Sequence, residues 1–156
     1  MSNFEVKAGL AEVEEFTIIG VSTVTLQEDA TTDINALWEQ FFKESIGQKI
    51  PEKEDDVIFA VYSDYEGDHE APYRLTIGYR SKSTEVPEEM TRVSVKAQNY
   101  AVISATGKQP ESLIDSWKAI WSSDLNRSFH TDFEVYGPRF FEDGVNEVLV
   151  HVGIED

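Results

Sequence analysis

Val57-Ile58-Phe59-Ala60-Val61-Tyr62 and Asp132-Phe133-Glu134-Val135-Tyr136 share the pattern Phe-x-Val-Tyr, set 74 positions apart. Both are rich in β-branched and aromatic residues, the composition of a strand. Working outward, the same order of elements surrounds each one. Upstream of the first, residues 16–24 read as a strand. Thr31, Thr32 and Asp33 then offer N-cap chemistry. Ile34, Leu37, Trp38, Phe41 and Phe42 fall on one helical stripe, which Gly47 and Pro51 are expected to close. Downstream, an acidic turn over 64–70 leads to a hairpin strand at 73–79. Upstream of the second, 100–105 reads as a strand and Pro110 suits a first helical turn. Leu113, Trp117, Ile120 and Trp121 form another helical stripe, with Ile114 beside it. Downstream, the turn Asp143-Gly144 precedes a last strand at 147–154.

The order is strand–helix–strand–strand, twice. Trp38 with Phe42 matches Trp117 with Trp121, and the offset between copies falls from 84 to 79 to 74 as connections shorten. A period this long indicates duplication of a domain half, not a solenoid. The expected architecture is α+β: an antiparallel sheet, one helix packed per repeat and a ligand cleft between the halves. The pseudo-repeats run over about 15–80 and 92–154 of a single domain spanning 1–156. The Ser/Glu/Pro-rich stretch 81–91 links them, with a short strand possible at 92–95.

Composition narrows the functions. The chain has 156 residues, no cysteine and a net charge of −17. Disulfides, thiol nucleophiles and cysteine metal sites are excluded. Thirteen basic residues scattered among 30 acidic ones make nucleic acid and anionic membranes poor partners, whereas a negative field favours cations. No apolar run approaches the roughly 20 residues of a membrane span, and the acidic N-terminus lacks the layout of a signal peptide. The expected location is the cytoplasm. His69, His130 and His151 include no closely spaced pair, so neither a metal nor a cofactor is expected. Thr106-Gly107-Lys108 lacks the upstream glycine of a phosphate loop.

Alternate strand residues face opposite sides. Phe133 and Val135 therefore share one face, expected to pack beneath the helices. Glu134 and Tyr136 share the other, where the twin of Glu134 is only Ala60. A carboxylate desolvated in a cleft would welcome a cation, with cation–π attraction from surrounding rings. A solvated glutamate on an open sheet face is the competing reading. Trp38, Phe41, Phe42, Trp117 and Trp121 read as core, with Trp38 and Trp117 the candidates to roof a pocket. Tyr62, Tyr73, Tyr79 and Tyr136 read either as pocket wall or as plain sheet residues.

Residues 99–107, Asn-Tyr-Ala-Val-Ile-Ser-Ala-Thr-Gly, followed by Trp117, Trp121 and the Phe-Glu-Val-Tyr motif, resemble the second half of the gyrase-inhibitor-like effector-binding domains. The nearest resemblance is to the free-standing integron-cassette members, and it covers about residues 15–154. It implies a tandem strand–helix–strand–strand fold and a pocket for lipophilic, aromatic cations. In that pocket Glu134 would be the anchor, with Tyr136, Trp117, Trp38, Phe41 and Tyr79 around it. Val152-Gly153-Ile154 departs from the Ile-Pro-Ile of many relatives. Two further functions follow from the resemblance. One is hydrolysis of cyclopropane-containing electrophiles, with Glu134 as base and Tyr136 as donor. The other is an acidic protein-interaction domain whose partner is not identified. No DNA-binding module is expected ahead of the first strand.

Overall fold

The computed structural model describes residues 9–26, 30–66, 71–106, 111–121, 127–137, 140, 142 and 146–155. Among these residues eight strands form one antiparallel sheet: β1 (Gly9–Val13), β2 (Phe16–Thr25), β3 (Lys53–Ser63), β4 (Tyr73–Ser81), β5 (Thr91–Val95), β6 (Gln98–Ala105), β7 (Arg127–Tyr136) and β8 (Val148–Ile154). Helix α1 (Ala30–Lys43) and the short α2 (Ile46–Lys49) follow β2, and α3 (Glu111–Trp121) follows β6. Among the described residues no helix is long and apolar enough to cross a membrane.

The strand order is β1-β6-β8-β7-β3-β4-β2-β5. It reads the same from both ends once each strand is exchanged for its repeat partner. The halves meet where the twin strands β3 and β7 pair, and Ala60 stands directly opposite Glu134. The two positions that break the sequence repeat therefore face each other across its two-fold axis. The outermost strands are exchanged between halves. β1 precedes the first repeat but pairs with β6, and β5 precedes the second but pairs with β2.

The sheet is strongly curled. β2 and β7 are separated by β3 and β4, which in a flat sheet would hold them roughly 14 Å apart, yet the rings of Phe16 and Phe133 lie 5.4 Å apart. Tyr100 on β6 reaches Phe133 from the other side at 5.1 Å. Gly20 and Gly78, paired across β2 and β4, permit a close backbone approach. A Cβ at either would sit 1.9 or 2.0 Å from a carbonyl oxygen of the opposite strand.

Curling buries both faces and corrects one expectation. Phe133 and Val135 do not pack beneath the helices; with Phe16, Phe59, Val61 and Tyr100 they fill the helix-free interior of the curl. Glu134 and Tyr136 lie on the face shared with Ala60, Tyr62 and the helix residues Leu37, Phe41, Trp117 and Ile120. Other boundaries shift. α1 begins at Ala30, so Thr31, Thr32 and Asp33 lie in its first turn; the Asp33 carboxylate accepts from Thr25 Oγ1 at 2.6 Å. It ends at Lys43, and Gly47 falls inside α2 instead of closing α1. Phe42, expected in the core, is 59% exposed, and Ile114 is also exposed. β1 was not foreseen. The expected features at Pro110 and Asp143-Gly144 lie outside the described residues, as does the Trp121 side chain.

Candidate functional site

The alternation of β7 sends Asp132, Glu134 and Tyr136 to the helix face, and that of β3 brings Tyr62 there from the paired strand. Glu134 is 1% exposed. Its Oε2 accepts from Tyr62 Oη at 2.8 Å and from Trp117 Nε1 at 2.6 Å, and its Oε1 accepts from Tyr136 Oη at 2.6 Å. Burial raises the Glu134 pKa above its ordinary value, opposed by the bonds from Tyr136, Trp117 and Tyr62. Burial, reinforced by the neighbouring carboxylate, holds the Tyr62 and Tyr136 phenols well above the usual phenol range. Tyr73 is pushed up to about 12 by burial, then by Glu134 and Asp33. These phenols therefore remain proton donors at neutral pH.

The aromatic surroundings follow the repeat. Trp117 packs on Tyr62 with centroids 5.1 Å apart, while Trp38 packs edge-on against Tyr136 at 4.9 Å. Each helix tryptophan thus covers the tyrosine of the opposite half. Tyr73 flanks Tyr62 at 5.5 Å and Phe140 flanks Tyr136 at 5.0 Å. The cage is close to symmetric and its single carboxylate is not.

Two residues along the same strand face, Asp132 makes an instructive contrast. It too is fully buried, but Arg127 Nη2 lies 2.6 Å from its Oδ2. The Gly153 amide donates to Oδ1 at 2.8 Å, and Tyr65 donates to Oδ2. The Arg127 guanidinium also lies over the rings of Tyr65 and Trp117, 5.9 and 6.0 Å from their centroids. Asp132 therefore holds an internal cation between aromatic rings. Among the described residues no basic side chain pairs with Glu134, whose donors are all neutral.

Of the residues singled out from sequence, Glu134, Tyr136 and Trp117 are joined by hydrogen bonds, and Trp38 joins them through Tyr136. Phe41 touches Trp38 at 6.1 Å and Tyr79 at 5.8 Å. Tyr79 stands apart from the carboxylate. With Phe41, Phe42, Gly47 and Lys53 it lines a separate depression of about 240 Å³, and Lys53 Nζ sits 4.5 Å over its ring. Sequence reasoning left Tyr62 undecided between wall and sheet. Its position as twin of Tyr136 in the repeat was the signal that it would share the glutamate. Asp132 and Arg127 carried no comparable signal. His151 stacks on Phe133 in the curl, at 4.3 Å. Among the described residues no three His, Asp or Glu side chains group as a metal site.

The profile of the integron-associated effector binding proteins matches residues 9–152. An integron cassette protein from the mobile metagenome of Vibrio cholerae superposes with a TM-score of 0.79 at 23% identity, covering 99% of this chain and 100% of that one. SAV2435, solved bound to tetraphenylphosphonium, superposes with a TM-score of 0.78 at 12% identity, covering 96% and 94%. The C-terminal domain of EcmrR gives 0.61 at 12% identity, covering 97% and 98%. At these identities the structural likenesses establish the fold. A search of curated protein sequences returned no match.

Proposed function

The chain belongs to the integron-associated effector binding protein family, and from that premise we propose that it binds small amphipathic aromatic cations. Glu134 is the charge anchor, and Tyr62, Tyr136, Trp117 and Trp38 form the surrounding wall. The observation that carries this reading is the contrast along β7. Two buried carboxylates lie two residues apart, and among the described residues only Asp132 has a guanidinium of its own. A desolvated carboxylate held by neutral donors gains most when a cation arrives. The aromatic faces add cation–π attraction of about 0.5–2 kcal/mol each. A neighbour of the same fold solved with tetraphenylphosphonium supports a cation as the ligand class. The net charge of −17 favours cations and disfavours direct nucleic-acid or membrane contact, and we read the protein as cytoplasmic.

Calorimetric titration with tetraphenylphosphonium, beside a neutral triaryl compound of similar size, tests the proposal. Saturable binding of the cation at one site per chain is expected, with the neutral compound at least tenfold weaker. Equal affinity for both would defeat the anchoring role. Recovery of the probe unaltered separates binding from turnover.

A further inference from the structure

The repeat makes Trp38 and Trp117 equivalent, 79 positions apart on α1 and α3, yet their surroundings differ. Trp117 is 8% exposed and donates its indole N–H to Glu134. Trp38 is only partly buried, and among the described residues its N–H makes no hydrogen bond. It stacks on the exposed Phe42 at 5.8 Å with ring planes 20° apart. The rings of Phe42, Trp38 and Tyr136 therefore run in contact from solvent to the carboxylate. The carboxylate is uneven in the same sense. Among the described residues Oε2 accepts two hydrogen bonds, from Tyr62 and Trp117, and Oε1 accepts one, from Tyr136. Oε1 is thus the oxygen held by the tyrosine that Trp38 covers.

We propose that the two tryptophans divide the work at the ligand site: Trp117 is a positioning residue that fixes Glu134, and Trp38, with Phe42, is the ring that meets the cation on the Oε1 side. This rests on the cation-binding reading above. The preference for aromatic cations then resides in α1 and the setting of the carboxylate in α3. The titratable groups facing Glu134 are Tyr62 on β3, Tyr73 on β4 and Tyr136 on its own strand, all phenols held above neutrality. Asp132, also on β7, is already paired with Arg127. Burial also raises the Asp132 pKa, opposed by Arg127, Tyr65 and the Gly153 amide, so the Glu134 midpoint is read from its own carboxyl signal.

The test measures tetraphenylphosphonium affinity across pH for Trp38→Ala, Trp38→Phe and Trp117→Phe. A ¹³C NMR titration of the Glu134 carboxyl without ligand runs alongside. Trp38→Ala is expected to weaken binding roughly threefold to thirtyfold and leave the carboxyl midpoint in place, with Trp38→Phe recovering most of the loss. Trp117→Phe removes a donor that lowers the pKa, so the midpoint should rise, a shift that Trp38→Ala does not produce. Wild-type binding that Trp38→Ala leaves intact, or a midpoint that Trp117→Phe does not move, overturns the division. Absence of tetraphenylphosphonium binding by the wild type would instead defeat the cation reading, and Trp38's role with it. The NMR titration would still decide the role of Trp117.

Discussion

Replacing Glu134 by Gln should move stability and affinity in opposite directions. In the ligand-free protein the amide keeps the shape of the side chain and removes a buried charge. The amide oxygen can keep the Tyr62 and Trp117 donors, which trade a charged acceptor for a neutral one at roughly 1 kcal/mol each, while the amide NH2 must donate to Tyr136 Oη in place of accepting from it. Against that stands the burial of a carboxylate, several kcal/mol after relaxation. The raised pKa of Glu134 says which is larger, since burial outweighs the bonds from Tyr136, Trp117 and Tyr62. The surplus is on the order of 1 kcal/mol in favour of Gln, roughly 2–4 °C in Tm for a domain of this size. The sign depends on pH. Because the folded pKa is raised, the contribution of Glu134 relative to Gln is fully present below its ordinary value of 4.5 and lost as pH rises through the folded value. The gain should therefore appear at pH 8 and vanish near pH 4. Binding moves the other way. With the charge of tetraphenylphosphonium roughly 6 Å from the carboxylate and an effective dielectric of about 20, the attraction is about 3 kcal/mol, about 100-fold in Kd. Thermal melts at both pH values and calorimetry at pH 8 read the two effects. A variant less stable than wild type at pH 8, or one binding the cation as tightly, would refute the reasoning.

Affinity for the cation should itself fall as pH drops through the raised Glu134 pKa, because the proton and the ligand compete for one carboxylate; a Kd constant between pH 8 and pH 4 would contradict this. Arg127→Met leaves the Asp132 carboxylate buried without its cation, and should cost about 3–5 kcal/mol in denaturant unfolding, with Asp132→Asn restoring part of the loss. Gly78→Ala places a methyl 2.0 Å from the Ile19 carbonyl oxygen; the expected loss is about 1–3 kcal/mol, read as a lower midpoint in urea.

Much of this was legible because the chain states its plan twice. The Phe-x-Val-Tyr pair located β3 and β7 and marked Glu134 as the odd residue, and equal helix spacing picked out Trp38 and Trp117. The face of Glu134 was not legible, because curling buries both sides of β7. Alternation then separates two faces without saying which lies under the helices. β1 escaped because Gly9–Val13 is short and its partner β6 lies in the other half. The pairing of Asp132 with Arg127 escaped for a different reason. The two lie five residues apart across a shift in the β7–β8 register, where strand periodicity gives no guide to which side chains meet.

Ala60 and Glu134 face one another where twin strands pair. Two identical polypeptides assembled in this way would repeat, on both sides of the axis, whatever one of them carried there. Two carboxylates would be pressed together and could not both ionise cheaply, or two methyl groups would leave no anchor. A lone charge at the centre of a two-fold cage is thus out of reach for a homodimer of half-length chains. Covalent fusion gives the halves licence to differ at one position, and so to set a single carboxylate among rings that otherwise match.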